Sequence, residues 1–293
     1  MTAAVTGERP GRFQWLGTAP APTLVAGLAF LLLYWEPLRT LVRDWWTDPD
    51  AGHGLLLGPL AIWLAWRRRV EAAASPGAGL ALLAGAVVLR YLSGLAAELF
   101  TMRISMVAAV AAGTILWRGW GQLRAWWLPG LLLILSVPIP EVILNSLAFP
   151  LQLKASQGGA ALLEWRNVPV RLAGNVIQMP GQTLFVTEAC SGLRSLTALV
   201  ALGVLVGGLW LRQPWTRVLL VLGAIPVAMA LNSLRIFFTG FLVYFVSPEL
   251  GSGFMHYSEG WAIFVLAFGI LGGLAWLLAK AERVRGWAWG GAA

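Results

Sequence analysis

The chain contains a single cysteine, Cys190, in 293 residues, so it can form neither an internal disulfide nor a multi-cysteine metal site. Its two histidines, His53 and His256, are far apart in sequence. With one thiol they make a poor metal-ligand set, and nothing else points to a metal or an organic cofactor. Charge is scarce as well: 12% of residues are charged, against about 25% in a soluble domain. With 58% hydrophobic residues and a mean hydropathy of +0.74, this excludes a soluble enzyme fold and a nucleic-acid module. The N-terminal stretch to about residue 21 carries Pro10 and Pro20. It lacks a short apolar core followed by a small-residue cleavage site, so no removable signal peptide is expected. Neither an internal repeat nor a low-complexity segment is visible before the Gly- and Trp-rich tail, and the chain reads as one integral membrane domain, 1–293.

What the sequence does have is a series of helix-length apolar runs. They lie at about 24–41, 54–66, 78–97, 103–117, 126–137, 191–211, 216–245 and 257–279, which predicts an all-α polytopic protein with about eight transmembrane helices. A span needs roughly 20 apolar residues, so the second and fifth runs are short and are expected to extend or to sit inside the bundle. The net charge of +8 reads as topology. Arg9 and Arg12, Arg67 to Arg69, Arg118 and Arg124, Arg212 and Arg217, and Lys280, Arg283 and Arg285 fall in alternate connections, which places them and both termini in the cytoplasm. The opposite side collects Asp44, Asp48, Asp50, Glu141 and Glu249, against Arg39, Arg43, Lys154, Arg166 and Arg171. The tryptophan pairs Trp45-Trp46 and Trp126-Trp127 are expected to anchor at the headgroups. Gly203 with Gly207, and Gly269 with Gly273, are expected to form helix-packing contacts.

The connection at about 138–190 is more than a loop. After Pro138 and Pro140, apolar residues recur at helical spacing from Val142 to Leu163, predicting one or two amphipathic helices at the outer interface. Alternation follows through Val168, Val170 and Leu172, a Gly174-Asn175 turn, then Val176, Ile177 and Met179, and again Leu184 and Val186. This predicts a small β-hairpin platform.

Polar groups at membrane depth are costly and point to function. Those in question are His53, Arg90, Glu98, Arg103, Glu188, Cys190, Arg194, Asn232, Arg235, His256 and Glu259. Cys190 lies at the outer start of the sixth run, where helix amides and the dipole favour a thiolate; Arg194 adds positive potential one turn on. Arg235 lies roughly 29 Å along the seventh span at 1.5 Å per residue, close to the outer edge of the hydrocarbon. His256 opens the eighth. A thiol, a guanidinium and an imidazole from three successive helices thus converge on one depth, as nucleophile, oxyanion stabiliser and base. Asn232 and Glu259, one turn from Arg235 and His256, are placed to orient them or to bind substrate. Arg90, Glu98 and Arg103 are either a structural ion network or the lining of a polar pathway.

Three blocks carry a resemblance: Glu188-Ala189-Cys190-Ser191-Gly192-Leu193-Arg194-Ser195-Leu196, Asn232-Ser233-Leu234-Arg235, and His256-Tyr257-Ser258-Glu259-Gly260. In order, spacing and placement they resemble the signature blocks of the exosortase/archaeosortase membrane proteins, with coverage from roughly Trp45 to Phe268. Weaker agreement comes from Asp50-Ala51-Gly52-His53-Gly54 and Pro138-Ile139-Pro140. The resemblance implies a cysteine transpeptidase-like protease of the bacterial inner membrane, with its active site at the outer face. Its partners would be the lipid bilayer and exported proteins that end in a Pro-Glu-Pro-type motif, a transmembrane helix and an Arg-rich tail; no nucleic acid is implied. It also implies a catalytic triad of Cys190, Arg235 and His256, with Glu188, Arg194, Asn232, Glu259 and His53 as candidate orienting or binding residues. The family's usual Tyr-Ser-His-Gly form reads Ala51-Gly52-His53-Gly54 here, which leaves the role of His53 open. The acceptor of the acyl group is undetermined, and a lipid-directed thiol acyltransferase or a transporter remain the competing readings.

Overall fold

The computed structural model describes residues 21–70, 72–186, 193–247 and 253–284, without the side chains of 21–22, 145, 147, 148, 193–195 and 253–261. The described chain forms nine helices and one small sheet. The first helices are α1 (Ala21–Thr47), α2 (Gly54–Arg67), α3 (Pro76–Leu95), α4 (Leu99–Ala125) and α5 (Trp127–Leu135). Then come α6 (Glu141–Trp165), the strands β1 (Arg171–Ala173), β2 (Val176–Met179) and β3 (Gln182–Phe185), and finally α7 (Leu193–Trp210), α8 (Pro214–Phe245) and α9 (Gly253–Val284).

Five of these helices are long and apolar enough to cross a membrane: Thr23–Thr47, Pro76–Leu95, Leu99–Ala125, Pro214–Phe245 and Ala262–Val284. The protein is a multi-pass membrane protein. The other three apolar runs also fold as helices, but α2, α7 and above all α5, with 9 residues, fall short of the spanning length. Helix α2 stops where Arg67, Arg68 and Arg69 leave the apolar phase, and α5 stops just before the Pro138–Pro140 break.

Four apolar clusters organise the bundle. Tyr34 and Leu41 of α1 meet Ala86 of α3 and Met106 and Ala109 of α4. Leu57, Ala61 and Leu64 of α2 meet Leu128 and Leu132 of α5 and Ala201 and Leu205 of α7. On its other side α7 contributes Leu199 to a core with α8 (Leu220, Ala224, Ala228, Leu231) and α9 (Ala267, Leu271, Ala275). Close approaches are made through glycine: a Cβ on Gly79 of α3 would lie 2.6 Å from the backbone of Leu116. Gly203 and Gly207 let α7 approach the Cα atoms of Val221 and Arg217 to the range of ordinary contact, as their spacing predicts. Gly269 and Gly273 of α9 have nothing within 4 Å, so the packing role expected of that pair is not used among the described residues.

The basic connections gather at one end of the bundle. There Gln122, fully buried, accepts from the Val70 amide (2.8 Å) and donates to the Arg68 carbonyl (2.7 Å), which also accepts from Trp126 Nε1 (2.7 Å). At the same end Glu282 of α9 accepts from the Arg212 and Gln213 amides (3.1 and 3.0 Å) and from Thr216 Oγ1, capping the first turn of α8. The Arg217 guanidinium lies 4.7 Å over the Trp127 ring.

At the opposite end is the segment expected to carry amphipathic helices and a hairpin. The helical part is one helix, α6, running through Pro150. It lies against α8 rather than only on the membrane surface: Gly158 faces Ser233, Gly159 faces Ile236 and Leu163 faces Gly240. The strand part is a three-stranded antiparallel sheet in the order β1-β2-β3, the hairpin being extended by a third strand. The first turn uses Gly174 at φ 64 and the second Pro180-Gly181 with Gly181 at φ 75, conformations that glycine adopts without a Cβ penalty. The inward face of the sheet, with Ile177 and Met179, packs on Leu163 of α6 and Ile236 and Val243 of α8. At roughly 1.5 Å per residue the 32 residues of α8 outrun a hydrocarbon core of about 30 Å, and its last turns carry the sheet and α6.

Candidate active site

Apart from His53, the site residues proposed from sequence fall on α7, α8 and α9 or precede them in the chain, and these three helices pack on one another around a shared core. Glu188 and Cys190 lie outside the described residues. Arg194 falls in the first turn of α7, and His256 and Glu259 in the first two turns of α9, with side chains that are likewise outside the description. Three of the proposed residues are described in full, Asn232, Arg235 and His53. Asn232 is 4% exposed and Arg235 is half-buried.

The Asn232-Ser233-Leu234-Arg235 block divides between two faces of α8, as its helical spacing requires. Asn232 and Arg235 line a small cavity closed by Leu199 of α7 and by Ile263, Phe264 and Ala267 of α9. Ser233 points the other way, onto Gly158 of α6, and its hydroxyl donates to the Met229 carbonyl (3.1 Å). Hydrogen bonds made by a guanidinium among apolar walls are stronger than in water. The cavity meets α9 about two turns past His256 and α7 past its first turn.

His53 sits elsewhere. It occupies the N-cap position of α2, and its Nε2 lies 3.1 Å from the Leu135 carbonyl at the end of α5; the carbonyl only accepts, so Nε2 carries the proton. Beside it, Trp45 Nε1 donates to the Ser136 carbonyl (2.7 Å). The Trp45 indole lies across α2, where a Cβ on Gly54 or Gly58 would collide with the ring. Trp45 is therefore a packing residue within the protein rather than the headgroup anchor its position suggested, whereas Trp46 is 79% exposed. The Asp50-to-Gly54 block forms this clasp: Asp48 accepts from the Asp50 amide through Oδ1 (2.8 Å) and from the Ala51 amide through its carbonyl (3.1 Å).

The three charges Arg90, Glu98 and Arg103, of which Glu98 lies in the connection between α3 and α4, do not form one network. Arg103, 3% exposed, pairs with Asp44 of α1 at 2.6 Å. Arg90 donates to the Leu33 carbonyl (3.2 Å). Glu98 caps α4, accepting from the Phe100 and Thr101 amides (2.9 and 2.7 Å) and the Thr101 hydroxyl (2.6 Å). Burial pushes the Glu98 carboxyl up, but the hydrogen bonds from Thr101 and Phe100 and the nearby Arg103 outweigh it and hold the group below its ordinary value. No continuous polar pathway links these groups among the described residues.

Residues 45–273, well over half of the chain, match the transmembrane exosortases. The chain belongs to the transmembrane exosortase family. Membership in this exosortase family implies, in general terms, a sorting transpeptidase of the membrane. The matched region opens at Trp45, so the clasp that joins α1, α2 and α5 belongs to the family's segment together with the α7–α9 core. No curated protein and no solved structure matches the chain.

The sequence alone did not signal Gly158 and Gly159, through which α6 is held against the Asn232–Arg235 stretch of α8. Their only trace is a pair of small residues at helical positions that otherwise read as an interfacial helix.

Proposed function

We propose that this exosortase is a membrane cysteine protease and transpeptidase that removes the C-terminal sorting signal of exported proteins. The observation that carries the reading is the position of Arg235 and Asn232 in a cavity between α7, α8 and α9, the helices to which all three family blocks are attached. Cys190 is the nucleophile, Arg235 the oxyanion stabiliser and His256 the acid–base. The Cys190 thiolate attacks the carbonyl carbon of the scissile peptide, and the Arg235 guanidinium holds the negative charge that develops on its oxygen. The carbon–nitrogen bond breaks as His256 protonates the leaving amine, giving a thioester on Cys190. Water or an amine, its proton taken by His256, then attacks the thioester and frees the thiol. Glu188, Arg194, Asn232 and Glu259 orient these groups or the substrate. His53 acts at a distance, by fixing α2 on α5.

In this reading the whole chain is one integral domain of the bacterial inner membrane with eight crossings, α2, α5 and α7 completing the five longer spans. Both termini are cytoplasmic and the site opens outward. The substrate's own helix lies beside α7 to α9, with its Pro-Glu-Pro-type motif over Cys190 and its basic tail in the cytoplasm.

The test is co-expression of wild type or Cys190→Ala with a tagged exported protein carrying such a C-terminus, followed by mass analysis of the product. A cut beside the motif that Cys190→Ala abolishes is the expected outcome, and any added mass identifies the acceptor. Normal processing by folded Cys190→Ala overturns the mechanism. An uncut protein accompanied by a Cys190-dependent acyl-lipid product would assign the same thiol to acyl transfer.

A further inference from the structure

A second site lies away from the α7–α9 cavity and uses none of the residues assigned to catalysis. It is a groove of about 410 Å³ between α2, α4 and α5, within the volume range of pockets that hold small molecules, roughly 300 to 1,000 Å³. Its lining includes the small residues Ala61 and Ala65 of α2, Ala111 of α4 and Gly130 of α5 and, from the basic end of the bundle, Arg69 and Arg118. Trp66 and Trp126 line it as well, and the Arg69 guanidinium lies 5.4 Å over the Trp66 ring.

Depth decides what fits. The α4 wall runs from Arg118 through Thr114 and Ala111 to Val107, twelve residues of regular helix before the break at Gly119, or roughly 16 Å from first to last. That is about half of a hydrocarbon core of about 30 Å, the depth of one leaflet. A transmembrane peptide needs the full thickness, and a helix with a basic tail would meet two arginines of its own sign. An acyl chain of the leaflet at the basic end has the right length, and a phosphate at its head has the right charge.

The geometry points to a binding site for one anionic phospholipid, its acyl chain along the α4 wall and its phosphate between Arg69 and Arg118. The site stands whether or not the proposed protease chemistry is correct.

The test is native mass spectrometry of the full-length protein in non-ionic detergent, offered phosphatidylglycerol and phosphatidylcholine in equal amounts. Wild type is expected to retain phosphatidylglycerol with a preference of roughly thirtyfold, as two arginines at a membrane surface provide. Arg69→Gln with Arg118→Gln should bring the two lipids to parity, Arg69→Lys with Arg118→Lys should keep most of the preference, and Ala111→Phe should expel both lipids from the groove. Arg124→Gln, at the same end but outside the groove, should change nothing. Retention of the Lys pair's preference separates loss of charge from loss of fold. Equal retention by wild type overturns the site, as does a preference that survives the Gln pair or the filled groove. A loss with Arg124→Gln as large as with the Gln pair also overturns it, because attraction would then be spread over the whole basic end.

Discussion

Two charged side chains, Arg103 and Glu282, are each only 3% exposed, and each is held by a defined partner. Arg103 is paired with Asp44, whose side chain is 32% exposed, so removing the carboxylate strands a buried guanidinium. Asp44→Ala should therefore destabilise the protein by about 3 kcal/mol, in the range for breaking a buried pair, as read from unfolding in detergent. The double replacement Asp44→Leu with Arg103→Met should recover most of that loss, and failure to recover would mean that the pair does more than neutralise itself. Glu98 contributes differently. Its carboxyl is held below the ordinary value by donors that favour the charged form, so its contribution is complete above the unfolded-state value and is lost as pH falls through the folded one. Wild type should lose melting temperature between about pH 5 and pH 3 more steeply than Glu98→Gln. At neutral pH that variant should be weaker by about 1 kcal/mol, the worth of an N-cap acceptor. Arg90, Glu98 and Arg103 stood out in the sequence because charge is rare in it, but their partners could not be read there. A carbonyl such as that of Leu33, or an amide such as that of Phe100, leaves no mark in residue identity.

At the level of the helices, the motif-bearing stretch of α8 is fixed from behind by α6. Gly158 and Gly159 leave no room for a side chain: a Cβ on Gly159 would lie 2.8 Å from that of Ile236. Gly159→Leu should cost about 1 to 3 kcal/mol through overpacking. It should also lower substrate processing at least as much as it lowers stability, because the strain falls on the turn that carries Asn232 and Arg235. Gly269→Leu, at a position with nothing within 4 Å, should leave both unchanged; equal losses in the two variants would show that α6 has no special hold on the site. All eight apolar runs fold as helices, because period and length are properties of the run itself. The runs also marked α2 and α5 as short for a membrane span; what they could not reveal is that both pack on α7 for cover. The third strand and the docking of α6 on α8 depend on partners distant in sequence, and amphipathic spacing alone does not distinguish a helix against lipid from one against another helix. The candidate site was legible as three blocks at one expected depth, but the described structure adds something the blocks did not contain. Asn232 and Arg235 share one face of α8 while Ser233, in the same block, serves another helix.

For the molecule as a whole, charge and architecture give a single polarity. One end gathers the arginines of alternate connections, tied down by Gln122, Trp126 and Glu282; the other carries the sheet, the end of α8 and the starts of α7 and α9. In the proposed topology, which follows the positive-inside rule, the first end is cytoplasmic and the helix starts next to the proposed nucleophile and base face outward. The single cysteine makes this testable without engineering a cysteine-free background first. A bulky membrane-impermeant maleimide added to intact cells with a permeabilised outer envelope should label the wild-type protein and leave Cys190→Ala unlabelled. In the Cys190→Ala background, Arg124→Cys should be labelled only after the inner membrane is opened. Labelling of Arg124→Cys from outside would invert the protein, place Cys190 on the cytoplasmic side and remove it from the path of an exported substrate, so this one experiment constrains topology and proposed function together.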